Sequence, residues 1–208
     1  MNPSVIRILR SLWLAILLFV IVPAQAATRT ILIVGDSLSS GYGIDVRQGW
    51  VMLLQQRLEQ QQRDYKVVNA SISGDTTANG LARLPSLLIK HTPNVVVIAL
   101  GGNDGLRGLS TEEMQRNLTS MVAQAKTRGA KIILAGVRIP PNYGPRYTEM
   151  FRHVYQNVAT GQKIPLVPLI LAGIDLDATL MQADRVHPTA AAQGKILENV
   201  WEELERLL

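Results

Sequence analysis

The sequence contains no cysteine in its 208 residues. This absence excludes disulfide bonds, a thiol nucleophile and any metal site built on thiolates. Lysine and arginine exceed aspartate and glutamate by 21 to 16, but they form no basic run. The charge therefore gives no indication of nucleic-acid binding. Internal repeats, low-complexity tracts and interdomain linkers are also absent, which favours a single domain with a core of its own.

The first 26 residues have the three parts of a secretory signal peptide. Arg7 and Arg10 are basic, residues 12–22 form an unbroken apolar run, and Ala-Gln-Ala at 24–26 is a small-x-small cleavage pattern. The apolar run is shorter than the roughly 20 residues that a membrane-spanning helix needs. We therefore expect cleavage after residue 26, a single domain at 27–208, no stable membrane insertion, and a periplasmic protein, with secretion as the alternative.

Short apolar runs rich in β-branched residues alternate along the chain with helical patterns. Strands are predicted at 31–34, 65–70, 95–100, 131–137 and 164–170. Helices are predicted at 48–62, 76–89, 110–127, 148–160 and 189–208, with a kink or break at Pro85. Apolar strands alternating with amphipathic helices indicate a parallel sheet covered on both faces. We predict a three-layer, doubly wound α/β sandwich of about five parallel strands, flavodoxin-like in kind.

Three of the predicted strands end in loops that carry polar residues or glycine. The first is followed by Ser37, the second by Gly74 and the third by Asn103. Because the carboxyl ends of parallel strands lie along one edge of the sheet, we expect these loops to meet. Ser37 is then a candidate nucleophile, which needs a base, an orienting group and oxyanion donors. Its turn is not a Gly-x-Ser-x-Gly elbow, since Ser39 stands where that motif has its second glycine.

Histidine is the usual base for a serine nucleophile, and the chain has three. His91 falls at a predicted helix end, which favours a surface or capping role, and His153 falls inside the helix predicted at 148–160. His187 follows Asp184 by three residues in an irregular segment. In a turn, this spacing lets the carboxylate reach Nδ1–H, fix the tautomer and stabilise the imidazolium. The same short pattern also arises by chance, so alone it is weak evidence.

An acyl-transfer site also needs donors that face the developing oxyanion. The backbone N–H groups of Ser37 and Gly74 and the side-chain amide of Asn103 are candidates for these donors. Two of them have a simpler alternative, since turn geometry explains Gly74 and an Asx-turn explains Asn103.

Four blocks of the sequence occur in the order of a known family. They are Gly-Asp-Ser-Leu-Ser at 35–39, Gly74, Gly-Gly-Asn-Asp at 101–104 and Asp-Arg-Val-His at 184–187. Through them, and over nearly all of the chain after the signal segment, the sequence resembles the GDSL esterases and lipases of the SGNH-hydrolase superfamily. The likeness is greatest to bacterial periplasmic members with several esterase activities. Four ordered blocks are far more specific than any one of them.

The resemblance implies hydrolysis of acyl esters and thioesters, including lysophospholipids, by a serine hydrolase. It implies a catalytic triad of Ser37, Asp184 and His187. It also implies an oxyanion hole formed by the N–H groups of Ser37 and Gly74 and by Asn103. No metal or organic cofactor is required by this chemistry, and the expected partner is a small acyl ester or thioester. A monomer is expected, since the composition allows one.

Residues near the implied site have expected roles of their own. The resemblance implies that segment 75–84 moves as a switch loop when substrate binds. Asp36 is expected to order the nucleophile turn without acting in catalysis, and Asp104 to support Asn103. Six apolar residues are candidates for an acyl-binding groove, although a place in the core explains them equally well: Leu106, Leu109, Ile139, Tyr143, Leu176 and Leu180.

Two alternative functions fit parts of the sequence. A carbohydrate O-deacetylase would use the same fold and triad but would fail on long acyl chains. A non-enzymatic flavodoxin-like module would use the glycines at the strand ends to bind phosphate. The chain has neither Gly-x-Gly-x-x-Gly after a strand nor a Walker lysine, and this second alternative leaves Asp184 and His187 without a role.

Overall fold

The computed structural model describes residues 28–208, so the predicted signal peptide lies outside the described residues. Five strands and seven α-helices follow one another along this part of the chain. The strands are β1 Arg29–Gly35, β2 Tyr65–Asn69, β3 Val95–Ala99, β4 Lys131–Ala135 and β5 Leu166–Val167. The helices are α1 Ser37–Ser40, α2 Trp50–Gln60, α3 Thr77–His91, α4 Gly102–Leu106, α5 Thr111–Thr127, α6 Pro145–Gln162 and α7 Gln193–Glu205.

The strands form one sheet in the order β2-β1-β3-β4-β5, and every pair in it is parallel. This is the flavodoxin-like strand order, in which the order reverses between β1 and β3. The loops after these two strands therefore diverge at the carboxyl edge and leave a crevice there. The predicted fold class is confirmed.

Alternate residues of the central strands face opposite layers of helices. Ile31 and Ile33 belong to a core shared with α2 and α7, whereas Leu32 and Val34 belong to a core shared with α3, α5 and α6. All four of these side chains are completely buried. The apolar run of β1 has no polar position because both faces of the strand are covered. No helix within residues 28–208 combines the length and apolar character needed to cross a membrane.

Proline accounts for three differences between the predicted and observed elements. The strand predicted at 164–170 is reduced to two residues, because Pro165 and Pro168 flank it and have no N–H for the ladder. The helix predicted from residue 148 begins at Pro145, where the missing N–H would have been unpaired in any case. The helix predicted to kink or break at Pro85 continues to His91. Pro85 is exposed on its solvent side, while the buried neighbours Leu84 and Leu88 hold the helix in the core.

Two short helices and the start of the last helix also differ from the prediction. The sequence pattern did not predict α1 or α4, which have four and five residues and are too short for a periodic apolar signal. The terminal helix begins later than predicted, since a 3₁₀ turn at Ala190–Ala192 precedes α7. Both short helices lie directly after central strands, so they position the residues that follow β1 and β3.

Candidate active site

The turn after β1 places Ser37 at the carboxyl edge of the sheet. Asp36 caps α1, and its Oδ1 accepts a hydrogen bond from Leu38 N–H at 3.0 Å. A Cβ on Gly35 would lie 2.8 Å from Ser39 Oγ, so only glycine fits where the strand passes beneath the helix. Ser37 is thereby held as the first residue of α1, with its side chain in the crevice.

The segment 181–188 folds into a turn closed by its own backbone. Met181 and Pro188 form an antiparallel bridge, and Gln182 N–H donates to the carbonyl of His187 at 2.8 Å. Inside the turn, Asp184 Oδ1 accepts from the N–H of Val186 at 2.9 Å and of His187 at 3.0 Å. The spacing of three residues thus places the carboxylate against the imidazole, as the sequence suggested.

Ser37, His187 and Asp184 form one hydrogen-bonded chain. His187 Nε2 lies 2.9 Å from Ser37 Oγ, and His187 Nδ1 lies 2.7 Å from Asp184 Oδ2. The backbone N–H of His187, followed by smaller contributions that include the imidazole, lowers the pKa of Asp184 to about 2. The carboxylate is therefore ionised at neutral pH. It then requires the proton on Nδ1, which leaves Nε2 as the acceptor that faces the serine hydroxyl.

The sequence patterns did not single out two residues that join the serine turn to the histidine turn. Gln182 Nε2 donates to the carbonyl of Tyr42 at 2.9 Å and to that of Pro188 at 3.0 Å. The ring of Tyr42 lies 4.4 Å from the ring of His187, centroid to centroid. Gly43 has φ +73°, which favours glycine, and a Cβ there would lie 2.3 Å from Gln182 Oε1. No motif marks a lone glutamine or tyrosine, and only the fold brings them here.

The loops after β2 and β3 lie against each other, which brings Gly74 close to the short helix that carries Asn103. Gly74 has φ +84°, which favours glycine, and its carbonyl accepts from Arg107 Nη2 at 2.9 Å. This bond fixes the orientation of the peptide group between Gly74 and Asp75. Asn103 Nδ2 donates to the carbonyl of Asp75 at 3.0 Å and lies 3.5 Å from Asp36 Oδ2. Since the second contact is long and weak, one amide hydrogen remains free to reach a ligand.

A cavity of about 630 Å³ adjoins Ser37, Asn103 and His187. Its wall is mostly apolar. Three of the six residues proposed for an acyl groove line it: Leu106, Ile139 and Leu176. The other three are not among its lining residues: Leu109, Tyr143 and Leu180. Tyr143 instead supports the wall, because its hydroxyl donates to the carbonyl of Leu106 at 2.6 Å.

Comparison with known proteins is decisive for the family. The model of the GDSL-like lipase/acylhydrolase family matches residues 33–195. The chain belongs to the GDSL family. It is 55% identical to Esterase TesA of Pseudomonas aeruginosa over 92% of this chain and 96% of that protein. It is 41% identical to thioesterase 1/protease 1/lysophospholipase L1 of Escherichia coli strain K12, over 88% of this chain and 86% of that protein.

The fold of this GDSL hydrolase is shared with solved structures. The crystal structure of TesA has a TM-score of 0.85 and 56% sequence identity, and the match covers 86% of this chain and all of that one. The residues matched by the family model, 33–195, include Ser37, Gly74, Asn103 and His187. The resemblance drawn from the four sequence blocks is therefore confirmed at the level of the family, and the chain is an enzyme of the hydrolase class.

Asp104 has a different role in this GDSL hydrolase from the one expected. It does not bond Asn103; instead it accepts from Thr77 N–H at 2.9 Å and from Thr77 Oγ1 at 2.5 Å. Asn117 Nδ2 donates to the same hydroxyl at 3.1 Å. Asp104 therefore ties α4 to the start of α3, and Asn103 is held by Asp75 instead. The Gly-x-Asn-Asp block places both residues, but the sequence does not tell which partner each one binds.

The segment 75–84, expected to act as a switch loop, is helical over most of its length in this GDSL hydrolase. Helix α3 begins at Thr77, and Thr76 caps it with a reciprocal bond to Asn79. Asp75 is held by Arg83 Nε at 2.7 Å, with both side chains mostly buried. Motion on substrate binding stays a prediction, and only residues 75 and 76 lie outside the helix.

Asp36 is the second aspartate beside the serine, and it is buried, with 3% of its surface exposed. Burial raises its pKa from 3.8 to about 6, against the opposing effect of the Leu38 N–H.

The remaining histidines lie elsewhere: His91 ends α3, and His153 on α6 contacts Glu149 at 3.1 Å. Among residues 28–208, no cluster of three or more histidine or acidic side chains has the geometry of a metal site.

Proposed function

We propose that this GDSL hydrolase cleaves acyl esters and thioesters through an acyl-enzyme, with Ser37, His187 and Asp184 as its triad. The observation that supports the proposal most directly is the continuous chain of hydrogen bonds from Asp184 through His187 to Ser37 Oγ. In this arrangement the base faces the hydroxyl, and the carboxylate fixes the tautomer that can accept its proton.

The first half of the reaction acylates the serine. Ser37 Oγ forms a bond to the acyl carbonyl carbon as His187 Nε2 takes the hydroxyl proton. The resulting oxyanion accepts hydrogen bonds from the N–H groups of Ser37 and Gly74 and from Asn103 Nδ2. The C–O or C–S bond then breaks, and the leaving alcohol or thiol takes the proton from His187.

The second half restores the enzyme by hydrolysis. Water gives a proton to His187 Nε2 and forms a bond to the acyl carbon, and the bond to Ser37 Oγ breaks as the proton returns to it. Asp184 stays ionised and stabilises the imidazolium in both halves. The carboxylic acid is released from the cavity.

The apolar cavity favours medium acyl chains over an acetyl group as the substrate. Its volume of about 630 Å³ and its wall of Leu106, Ile139 and Leu176 suit an alkyl chain. A carbohydrate O-deacetylase, the alternative on this fold, binds only an acetyl group, which is too short to contact such an apolar wall along its length. The names of the two relatives also differ from a deacetylase, since one is an esterase and the other a thioesterase, protease and lysophospholipase.

A fluorophosphonate probe tests the proposal directly, because it labels an activated serine covalently. We expect stoichiometric labelling of the wild type, none of Ser37→Ala, and hydrolysis of p-nitrophenyl butyrate and octanoate by the wild type only. Removal of the nucleophile costs about 10⁶ in kcat in a known serine hydrolase. A folded Ser37→Ala variant with wild-type turnover would show that another residue is the nucleophile. A wild type that hydrolyses acetyl esters but not octanoyl esters would favour the deacetylase.

The proposal for location is export through a signal peptide cleaved after residue 26, which leaves the domain 27–208 in the periplasm. The basic, apolar and small-residue parts of the first 26 residues support it. The N-terminal residue of the protein recovered from a periplasmic fraction tests it. Ala27 is expected there, and Met1 would contradict cleavage.

A further inference from the structure

One ion pair lies in the mostly apolar wall of the cavity. Arg138, three residues after the end of β4, donates to Asp175 Oδ2 from Nε at 2.9 Å and from Nη2 at 2.5 Å. Asp175 belongs to the segment that follows β5, and both residues line the cavity. The pair therefore joins two loops that leave neighbouring strands and form two walls of the same cavity.

The bonding of Asp175 is incomplete. Both guanidinium nitrogens converge on Oδ2, while Oδ1 is buried without a hydrogen-bond partner among residues 28–208. Only 17% of the Asp175 side chain is exposed, against 46% for Arg138. A half-satisfied carboxylate in such a place is costly, and apolar replacements of partly buried pairs are often neutral or stabilising. Stability alone therefore gives no account of this pair.

We propose that the Arg138–Asp175 pair limits the length of acyl chain that the cavity admits, an inference that rests on the proposed function above. The pair acts as a cross-link that fixes the separation of the two walls. Acyl chains that extend past it meet walls that cannot move apart, whereas shorter chains end before they reach it.

The neighbouring residues agree with this placement. Leu176, next to Asp175, lines the cavity but is 86% exposed, so the segment that carries the pair forms the cavity rim. Ile139, next to Arg138, is buried in the wall. The pair thus stands where the apolar interior of the cavity gives way to solvent.

The test compares kcat/KM for p-nitrophenyl dodecanoate and butyrate in the wild type, Asp175→Asn, Arg138→Gln and the double variant. We expect the dodecanoate-to-butyrate ratio to rise about tenfold in each single variant, an effect the size of one methylene in an apolar pocket. The change should appear as a lower KM for dodecanoate. The double variant should show the same ratio as the single ones, because either change alone removes the pair.

The matched control is an ion pair of similar geometry away from the cavity, between Arg63 and Glu205 at 2.9 Å. Glu205→Gln should keep the wild-type ratio. A rise of less than threefold in either single variant, or single effects that multiply in the double variant, would overturn the proposal. Failure of the wild type to hydrolyse either ester would instead overturn the proposed function, before chain length is compared.

Discussion

Two aspartates flank the serine–histidine pair, and they differ in almost every respect. Asp36 is adjacent to Ser37 in sequence and buried at 3% exposure, and burial raises its pKa to about 6. Asp184 lies far along the chain with 41% of its side chain exposed, and backbone N–H groups lower its pKa to about 2. The carboxylate that contacts the imidazole is thus the exposed one.

The difference shows that hydrogen bonds to the carboxylate, and not its exclusion from solvent, keep the aspartate beside His187 in its charged form. Asp184 receives two backbone N–H groups and the imidazole N–H, so its charged form is stabilised although water is near. Asp36 receives the Leu38 N–H, which does not offset the loss of solvation. Asp184 is therefore suited to hold a charge beside His187, and Asp36 to hold a turn in place.

The largest expected effect comes from Asp184→Asn. The neutral amide no longer stabilises the imidazolium and allows the wrong tautomer, so we expect kcat to fall about 10⁴-fold, as the equivalent change does in a serine protease. Steady-state hydrolysis of p-nitrophenyl octanoate measures it. The wild-type rate should show no titration of Asp184 above pH 4, since its pKa is about 2.

Asp177→Asn is the control for this change, because Asp177 lies in the neighbouring segment and bonds Thr179 N–H at 2.9 Å without contact to the histidine. Its kcat should stay within about twofold of the wild type, as expected for a surface change. An equal loss in both variants would mean that the effect comes from the segment as a whole and not from the Asp184 carboxylate that contacts His187.

A smaller effect is expected from Asn103→Ala, which tests the side of the site that Asp36 occupies. Loss of one oxyanion donor costs about 10²–10³ in kcat in a known serine hydrolase, and we expect a loss of that size with little change in KM. Asn157→Ala, at an exposed position of α6, serves as the matched control. A kcat within a factor of two of the wild type would remove Asn103 from the proposed oxyanion hole.

The smallest effect is expected from Asp36→Asn, which should raise the thermal stability of the protein. With a raised pKa, folded Asp36 retains a proton that the unfolded chain releases between about pH 4 and 6. The stability it contributes is therefore lost as the pH rises through 6. An amide at this position can still accept from Leu38 N–H without a buried charge.

Thermal unfolding at two pH values measures this effect. At pH 8 we expect the Asp36→Asn variant to melt about 3 °C higher than the wild type, roughly the shift that 1 kcal/mol produces in a domain of this size. At pH 4 the two should melt alike. A lower melting temperature for the variant at pH 8 would show that the ionised carboxylate strengthens the turn more than its burial weakens it.

The sequence predicts the sheet and the four functional blocks because each depends on a local signal. The β-branched run at 31–34 requires a strand buried on both faces, and the Asp184–His187 spacing requires only a turn. What the sequence does not predict depends on long-range contacts. Asp104 bonds Thr77 instead of its neighbour Asn103, and Gln182 bonds the serine turn at Tyr42. Both contacts form only because the fold brings together residues that are distant in sequence.

The two prolines that shorten β5 also determine how the sheet ends. β5 is an outer strand of the sheet, and an outer strand with free N–H groups is a template for pairing with another chain. Pro165 and Pro168 offer no N–H on either side of Leu166–Val167. The edge along β5 is therefore only two residues long, which leaves little template for strand addition from another molecule.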